Sequence, residues 1–356
     1  MMVKKMNNFR LDESKEVKKI LLVDLLYLGD LIFALPFIEN LRENFPQAKI
    51  DMVVNADFRD ILNTNSYIDN FYACDKSAGL LEGMRFARSL RKNGYDLGLN
   101  IHGNWRSVLL MYLVRPARIF GYAAEPGTGL LTDIVIEKQG GRHMVEEYLG
   151  FLEELELEVF AVNPPRLEPT PEAIADIKIL LQEAGVGEGE TLVGLNTGGS
   201  WESKRWPPEY FARLAEKLQG EYGVRVVFFG GSGDVERVDE IISQMEEGCR
   251  EPVNTAGRTS LPELAALTGE CDLVISGDSG PAHVAAAVGT PVVAIFGPSD
   301  DVKYRPYGSE NVVIKSDIEC RPCGEHSCPL GHHRCLRDIT SERVLEEIEK
   351  NISVFF

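Results

Sequence analysis

Short apolar runs recur along the chain, each closed by a polar or glycine-rich turn and followed by a segment of helical period. In the first half these runs are Lys19–Asp24 (KILLVD), Ile50–Val54, Phe71–Cys74 and Tyr95–Ile101. In the second half they are Thr191–Leu195, Val224–Phe229, Asp272–Ser276 and Thr290–Phe296. Their length and composition predict buried strands. The segments between them predict helices over Leu31–Asn44, Gly83–Asn93, Pro171–Ala184, Glu209–Gln219, Ala282–Val288 and Thr340–Phe356. A long helix also opens at Gly141–Val145 and ends near Glu158. Pro36 is expected to kink or break its helix. Strands joined by helical crossovers build parallel sheets, so the pattern predicts an α/β protein.

Residues Val159–Thr170, with Pro164, Pro165 and Pro169, have linker composition. Together with a length of 356 residues they imply two domains, 18–165 and 171–339, each long enough for its own core. Residues 1–17 are expected to form a flexible leader, and 340–356 a terminal helix. The leader is positively charged but lacks an apolar h-region, so it does not read as a secretory signal.

Composition narrows the function. The formal charge of −18 argues against general nucleic-acid binding. It is unevenly spread: residues 1–165 hold 19 Lys and Arg against 23 Asp and Glu, whereas 166–356 hold 18 against 32. No apolar run reaches the roughly 18 residues of a membrane span. Seven cysteines, an odd number, fit a reducing compartment better than a disulfide framework. A cytoplasmic location is expected.

Candidate chemistry sits at the ends of the strands. Gly277-Asp278-Ser279-Gly280 joins a strand to a helix with Pro281 at its start. Unpaired N–H groups and the helix dipole favour an anion at such a place. Ser279 adds a hydroxyl, and His283 an imidazole in the first turn. A second loop, Asn196 to Pro208, offers small residues (Gly198, Gly199), hydroxyls (Thr197, Ser200) and the cation Lys204. A third turn, Gly230 to Asp234, offers Gly231, Asp234 and Glu236, whose carboxylates suit ribose hydroxyls. In the first half, Asp30 stands where a loop meets a helix, as a cap or as a general base. His102, Asn104 and Arg106 follow a strand on its carboxyl side. No Gly-x-Gly-x-x-Gly follows either domain's first strand, which disfavours a nicotinamide dehydrogenase.

Cys320, Cys323, Cys328 and Cys335 fall within sixteen residues, with His326, His332 and His333 between them. Structural Zn, an iron–sulfur cluster, free thiols and disulfides all remain open. The first gap is finger-like, and the later gaps match no standard finger.

Several of these stretches resemble glycosyltransferase family 9, the bacterial heptosyltransferases. They are DLVISGDSGPAHVAAAVGTPVVAIFGP, GLNTGGSWESKRWPPEYFARLA, YDLGLNIHGNWRSVLL and KKILLVDLLYLGDLIFALPFIENLRENFPQAKIDMVV. The resemblance covers roughly residues 18–345. It implies the GT-B architecture, two Rossmann-like doubly wound domains facing a central cleft, with the last helix crossing back to the first domain. It implies inverting, metal-independent transfer of a sugar, with ADP-heptose the favoured donor, onto a lipopolysaccharide-core-type lipid acceptor, with no catalytic cofactor. Asp278, Ser279, Gly280, His283 and Lys204 would hold the diphosphate, the turn at Gly231 the nucleoside, and Asp30 would be the base. The family often has Arg in the loop before Asp30, where this chain reads Asp24-Leu25-Leu26. Alternatives are a same-fold transferase or epimerase using another nucleotide-sugar, and a non-catalytic nucleotide-sugar binder.

Residues 84–118 carry seven basic side chains, among them Arg85, Arg88 and Arg106, against one acid, Asp96. The patch is either a pair of solvated helix faces or a surface for an anionic lipid-linked acceptor at the inner face of the cytoplasmic membrane.

Overall fold

A computed structural model describes residues 17–122, 132, 134–136 and 140–352. The expected leader lies, but for Val17, outside the described residues. So do the last four residues of the expected terminal helix. The chain divides into two compact units, Met1–Asn163 and Pro164–Phe356.

The first unit holds β1 (Lys19–Asp24), β2 (Lys49–Asn55), β3 (Asn70–Cys74), β4 (Leu97–Asn100), β5 (Arg118–Tyr122) and β6 (Ile134–Ile136). Among the described residues they form one parallel sheet in the order β3-β2-β1-β4-β5-β6. The second unit holds β7 (Leu192–Asn196), β8 (Arg225–Phe229), β9 (Val253–Asn254), β10 (Leu273–Gly277), β11 (Val292–Phe296) and β12 (Val312–Lys315). Its order is β12-β11-β10-β7-β8-β9, again all parallel.

The two sheets share one winding. Each unit's first strand is central, the next two step outward on one side, and the fourth returns to its other side. Val23 pairs with Asn100 at the end of β1 and β4, and Asn196 pairs with Ser276 at the end of β7 and β10. The order reverses between these pairs, so the loops leaving their carboxyl ends diverge and leave a crevice.

The sheets are buried on both faces, as the unbroken apolar runs require. In the first unit Leu21, Val23 and Val53 pack on Leu90, Met111 and Val114 of two helices, Leu80–Arg91 and Trp105–Val114. In the second, Val226, Phe228 and Ile275 share a core with Phe211 and Leu214 of the helix Pro208–Tyr222. Trp206 is fully buried there, and its indole N–H donates to the Ile339 carbonyl at 2.8 Å.

The structure adds detail at two helices. The helix expected over Leu31–Asn44 is a pair, Leu28–Phe33 and Leu35–Asn44, with Ala34 between them. Pro36 lies in the first turn of the second helix, where its missing N–H costs nothing, so of the kink or break expected at Pro36 the structure shows the break, at Ala34. The terminal helix, Ser341–Asn351, buries Val344, Leu345 and Ile348 in the second unit's own core, against the helix Pro208–Tyr222 and β12. Its apolar face thus packs within the second unit.

Candidate functional site

In the second unit two loops leave the switch point between β7 and β10. Asn196, the last residue of β7, ties them together: its amide donates to Ser276 Oγ at 2.9 Å and to Ser279 Oγ at 2.6 Å. The backbones then run close. A Cβ on Gly277 would stand 3.2 Å from the Lys204 carbonyl, which explains the glycine at the end of β10.

Across this junction Lys204 Nζ meets Asp278 Oδ2 at 2.6 Å, with the two side chains 14% and 6% exposed. Both were singled out as diphosphate ligands. A carboxylate would repel a diphosphate, and Asp278 here faces the Lys204 ammonium instead. The pair is nearly neutral as a unit. At the start of the helix Gly280–Ala287, Pro281 has no N–H and the Ala282 N–H donates to the Ser279 carbonyl at 3.2 Å, which leaves the Gly280 N–H as the group placed to meet an anion. Ser279 occupies the cap position without a side-chain capping bond, Gly280 is the first helical residue, and His283 is buried in the first turn. Thr197, just past β7, is buried, and its hydroxyl has no hydrogen-bond partner among the described residues. Gly199 is half-buried and Ser200 is exposed.

Arg237 was not anticipated from the sequence. Its guanidinium donates to the carbonyls of Thr197, at 3.1 Å, and Trp206, at 2.5 Å. It therefore clasps the Lys204 loop at both ends. Burial, with Arg205 adding to it, pushes this guanidinium below its ordinary pKa. The cue available was only an Arg three residues past Asp234, and nothing local marks it as a clasp.

The third turn differs from expectation in detail. Asp234 Oδ2 accepts from the Gly231 N–H at 3.0 Å, and a Cβ on Gly198 would stand 2.8 Å from that oxygen. Asp234 thus packs the turn against Gly198. Glu236 is exposed in the first turn of the helix Val235–Ser243.

In the first unit Asp30 is half-buried, three residues past Tyr27, which holds the cap position of Leu28–Phe33. Asp30 is therefore not the cap. A pocket of about 120 Å³ lies at the same strand ends, lined by Leu25, Tyr27, Lys76, His102, Asn104 and Arg106. His102, Asn104 and Arg106 come together as expected, and Lys76 joins them unforeseen. Burial lowers the Lys76 ammonium pKa, while Asp24, Asp57 and Asp30 work to raise it. This ammonium and the Asp30 carboxylate therefore share one electrostatic neighbourhood. Asn104 also caps the helix Trp105–Val114, accepting from the Ser107 N–H at 2.9 Å. Gly103, at φ +80°, leaves no room for a Cβ, which would stand 2.5 Å from the Tyr122 carbonyl. Arg85 and Arg88 do not line this pocket. They are exposed on the helix Leu80–Arg91, whose buried side is Ala87 and Leu90.

The four clustered cysteines are all free thiols and line one cavity of about 30 Å³, with His332 and His333 beside them. Cys328 faces backbone N–H groups, that of His333 foremost, which hold its thiol below the usual range. Burial pushes Cys335 up. Among the described residues no three His, Cys, Asp or Glu side chains stand in position to hold a metal ion.

Two Rossmann-like units, each with polar side chains gathered at its switch point, are the fold class of GT-B glycosyltransferases. Residues 83–333 match the model of glycosyltransferase family 9 (heptosyltransferase), and the chain belongs to that family. It is similar to lipopolysaccharide heptosyltransferase 2 of Salmonella typhimurium, 29% identical over 347 residues that cover 94% of this chain and 99% of that one. A solved family 9 glycosyl transferase from Veillonella parvula superposes with a TM-score of 0.85 at 28% identity, covering 94% and 96% of the two chains. The E. coli ADP-heptose LPS heptosyltransferase II superposes with a TM-score of 0.79 at 27% identity, covering 93% and 98%.

Replacing Lys204 by Ala leaves Asp278 as an uncompensated carboxylate beside the helix start. Lys204→Ala is therefore expected to weaken ADP binding by roughly 1–3 kcal/mol, read by titration calorimetry. An unchanged dissociation constant would remove Lys204 from the donor site.

Proposed function

We propose that this glycosyltransferase moves heptose from ADP-heptose onto a lipopolysaccharide-core-type acceptor, with inversion. The observation that carries the reading is the Lys204–Asp278 pair at the second unit's switch point, set beside a helix start. The relatives named above, lipopolysaccharide heptosyltransferase 2 and ADP-heptose LPS heptosyltransferase II, support the choice of donor and acceptor.

In this reading Asp30 takes the proton of the acceptor hydroxyl. The oxygen attacks the anomeric carbon of the heptose, and the bond from that carbon to the diphosphate oxygen breaks. ADP departs with the electron pair. Lys204, the Ser279 hydroxyl and the Gly280 amide stabilise the charge that develops on it. A positioned ammonium and a helix start supply what a divalent cation supplies elsewhere, so the step is written without a metal. His283 lines the same first turn. Thr197 offers a buried hydroxyl, and Glu236 an exposed carboxylate for the ribose. His102, Asn104, Arg106 and Lys76 surround the acceptor, which is anionic.

Two finer parts belong to the same reading. The four thiols Cys320, Cys323, Cys328 and Cys335 line a single cavity and none is in a disulfide; they do not stand in ligating positions as arranged, so a structural ion would require their side chains to close on it. The seven basic residues of 84–118 are all exposed and meet an anionic membrane surface from the cytoplasmic side. No helix among the described residues is long and apolar enough to cross a membrane, so such contact would be peripheral.

Asp30→Asn is expected to cut turnover of ADP-heptose with a lipid acceptor by at least about 100-fold while ADP affinity stays near wild type. Turnover near wild type would exclude Asp30 as the base. Hydrolysis or epimerisation of donor alone, with no transfer, would favour the epimerase reading. Elemental analysis of anaerobically purified protein should find about one equivalent of Zn, or iron at the stoichiometry of a cluster; a metal-free protein ends the ion assignment. Reversing Arg85, Arg88 and Arg91 to Glu should reduce binding to anionic liposomes at low salt, with ADP affinity unchanged. Equal binding by the variant would leave the patch a solvated surface.

A further inference from the structure

The segment from Ile318 to His333 has no regular secondary structure, yet it is pinned at several points. Near its start Arg321 donates to the carbonyls of Gly297, at 2.9 Å, and Ser299, at 3.3 Å, and pairs with Asp301 at 3.1 Å. The Gly324 N–H donates to the Pro298 carbonyl at 2.9 Å. These bonds tie it to the loop leaving β11. Over the next two residues, Glu325 and His326, it reaches the loop leaving β7. The Ser203 hydroxyl donates to the Glu325 carbonyl at 2.8 Å. The His326 ring stacks on Trp201 with centroids 3.8 Å apart and planes 22° from parallel. Trp201 in turn has Lys204 Nζ 4.3 Å from its ring centroid. The cysteine-rich segment is thus a strap between the carboxyl ends of β11 and β7, strands that flank β10 and its Asp278.

The contacts converge on one group. An ammonium on a four-carbon stem has many rotamers, and holding it in one costs entropy. Asp278 supplies the charge partner. The Trp201 ring supplies a second surface, through cation–π attraction. An indole that is itself only half-buried holds this position when something covers it, and His326 does so by stacking. The Ser203–Glu325 bond fixes the short turn Glu202–Lys204, which carries the ammonium.

We propose that Trp201 and His326 are positioning residues for the donor, through which the cysteine-rich strap holds Lys204 where the diphosphate binds. This rests on the donor reading of Lys204. It gives the strap a part in donor affinity whether or not its thiols hold an ion, because the stack uses an imidazole and a backbone carbonyl and no cysteine.

The test is a set of ADP titrations by calorimetry on the full chain. Trp201→Leu and His326→Ala should each weaken ADP binding by roughly 3- to 10-fold, the scale of one cation–π contact. His326→Phe should restore most of the loss, since a flat ring is what the stack needs. The donor KM should rise with kcat little changed, and the acceptor KM should stay near wild type. The double variant Trp201→Leu/Lys204→Ala should bind ADP no worse than Lys204→Ala alone, because Trp201 acts through the ammonium. Additive losses would mean that Trp201 acts on ADP independently of Lys204 and would overturn the proposal. So would wild-type ADP affinity in both Trp201→Leu and His326→Ala while Lys204→Ala is impaired, an outcome that leaves the donor reading intact. If Lys204→Ala itself binds ADP normally, the donor reading fails and the proposal with it. His326 is exposed, so His326→Ala and His326→Phe keep the test decisive even if Trp201→Leu folds poorly.

Discussion

A parallel strand cannot be followed by a tight turn, because the chain must travel back the length of the sheet before it pairs again. Everything else in this protein follows from that constraint. It places every strand's carboxyl end on one edge of its sheet, so the loops bearing chemistry gather there. The reversal of winding after the third strand opens a crevice beside the first. The chain obeys the rule twice, with the same order in both units, and each time the polar groups cluster where β1 meets β4 or β7 meets β10.

At the second of these junctions the chemistry is arranged to be nearly neutral before a ligand arrives. A lone buried ammonium would be costly, and a buried carboxylate likewise. Lys204 and Asp278 offset one another at 2.6 Å. The pairing keeps the cation placed, but an anion brought to it would gain less from Lys204 than from a free cation. The first unit shows the converse arrangement. Lys76 lies among Asp24, Asp57 and Asp30, a cation serving several carboxylates.

The loop that carries Lys204 is long and has little regular structure, so its shape is imposed from outside. Arg237 holds both of its ends by their carbonyls, Asn196 anchors the neighbouring serine, and the strap presses on its tip. Such bonds reach across the sheet and are made by residues far apart in the chain. They exchange loop entropy for placement of one ammonium, a trade that transfer chemistry rewards, because charge must be met where it develops.

The sequence alone determined the class of fold, because buried parallel strands read as unbroken apolar runs and their crossovers as amphipathic segments. It also singled out the Asp30, Lys204 and Asp278 loops as candidates, because glycines, hydroxyls and charges gather there at strand ends and the stretches resemble those of family 9. Pairing decided the rest. That Asp278 partners Lys204, that Asp234 packs a turn, that Tyr27 and not Asp30 takes the cap position, and that Lys76 and Arg237 belong to the sites depends on which loops become neighbours. The terminal helix shows the same limit. Its apolar stripe was legible, but the surface that covers it is chosen by shape and by the space left beside β12. Periodicity is a property of adjacent residues, and partnership is a property of residues brought together from far along the chain; only the folded structure contains the second.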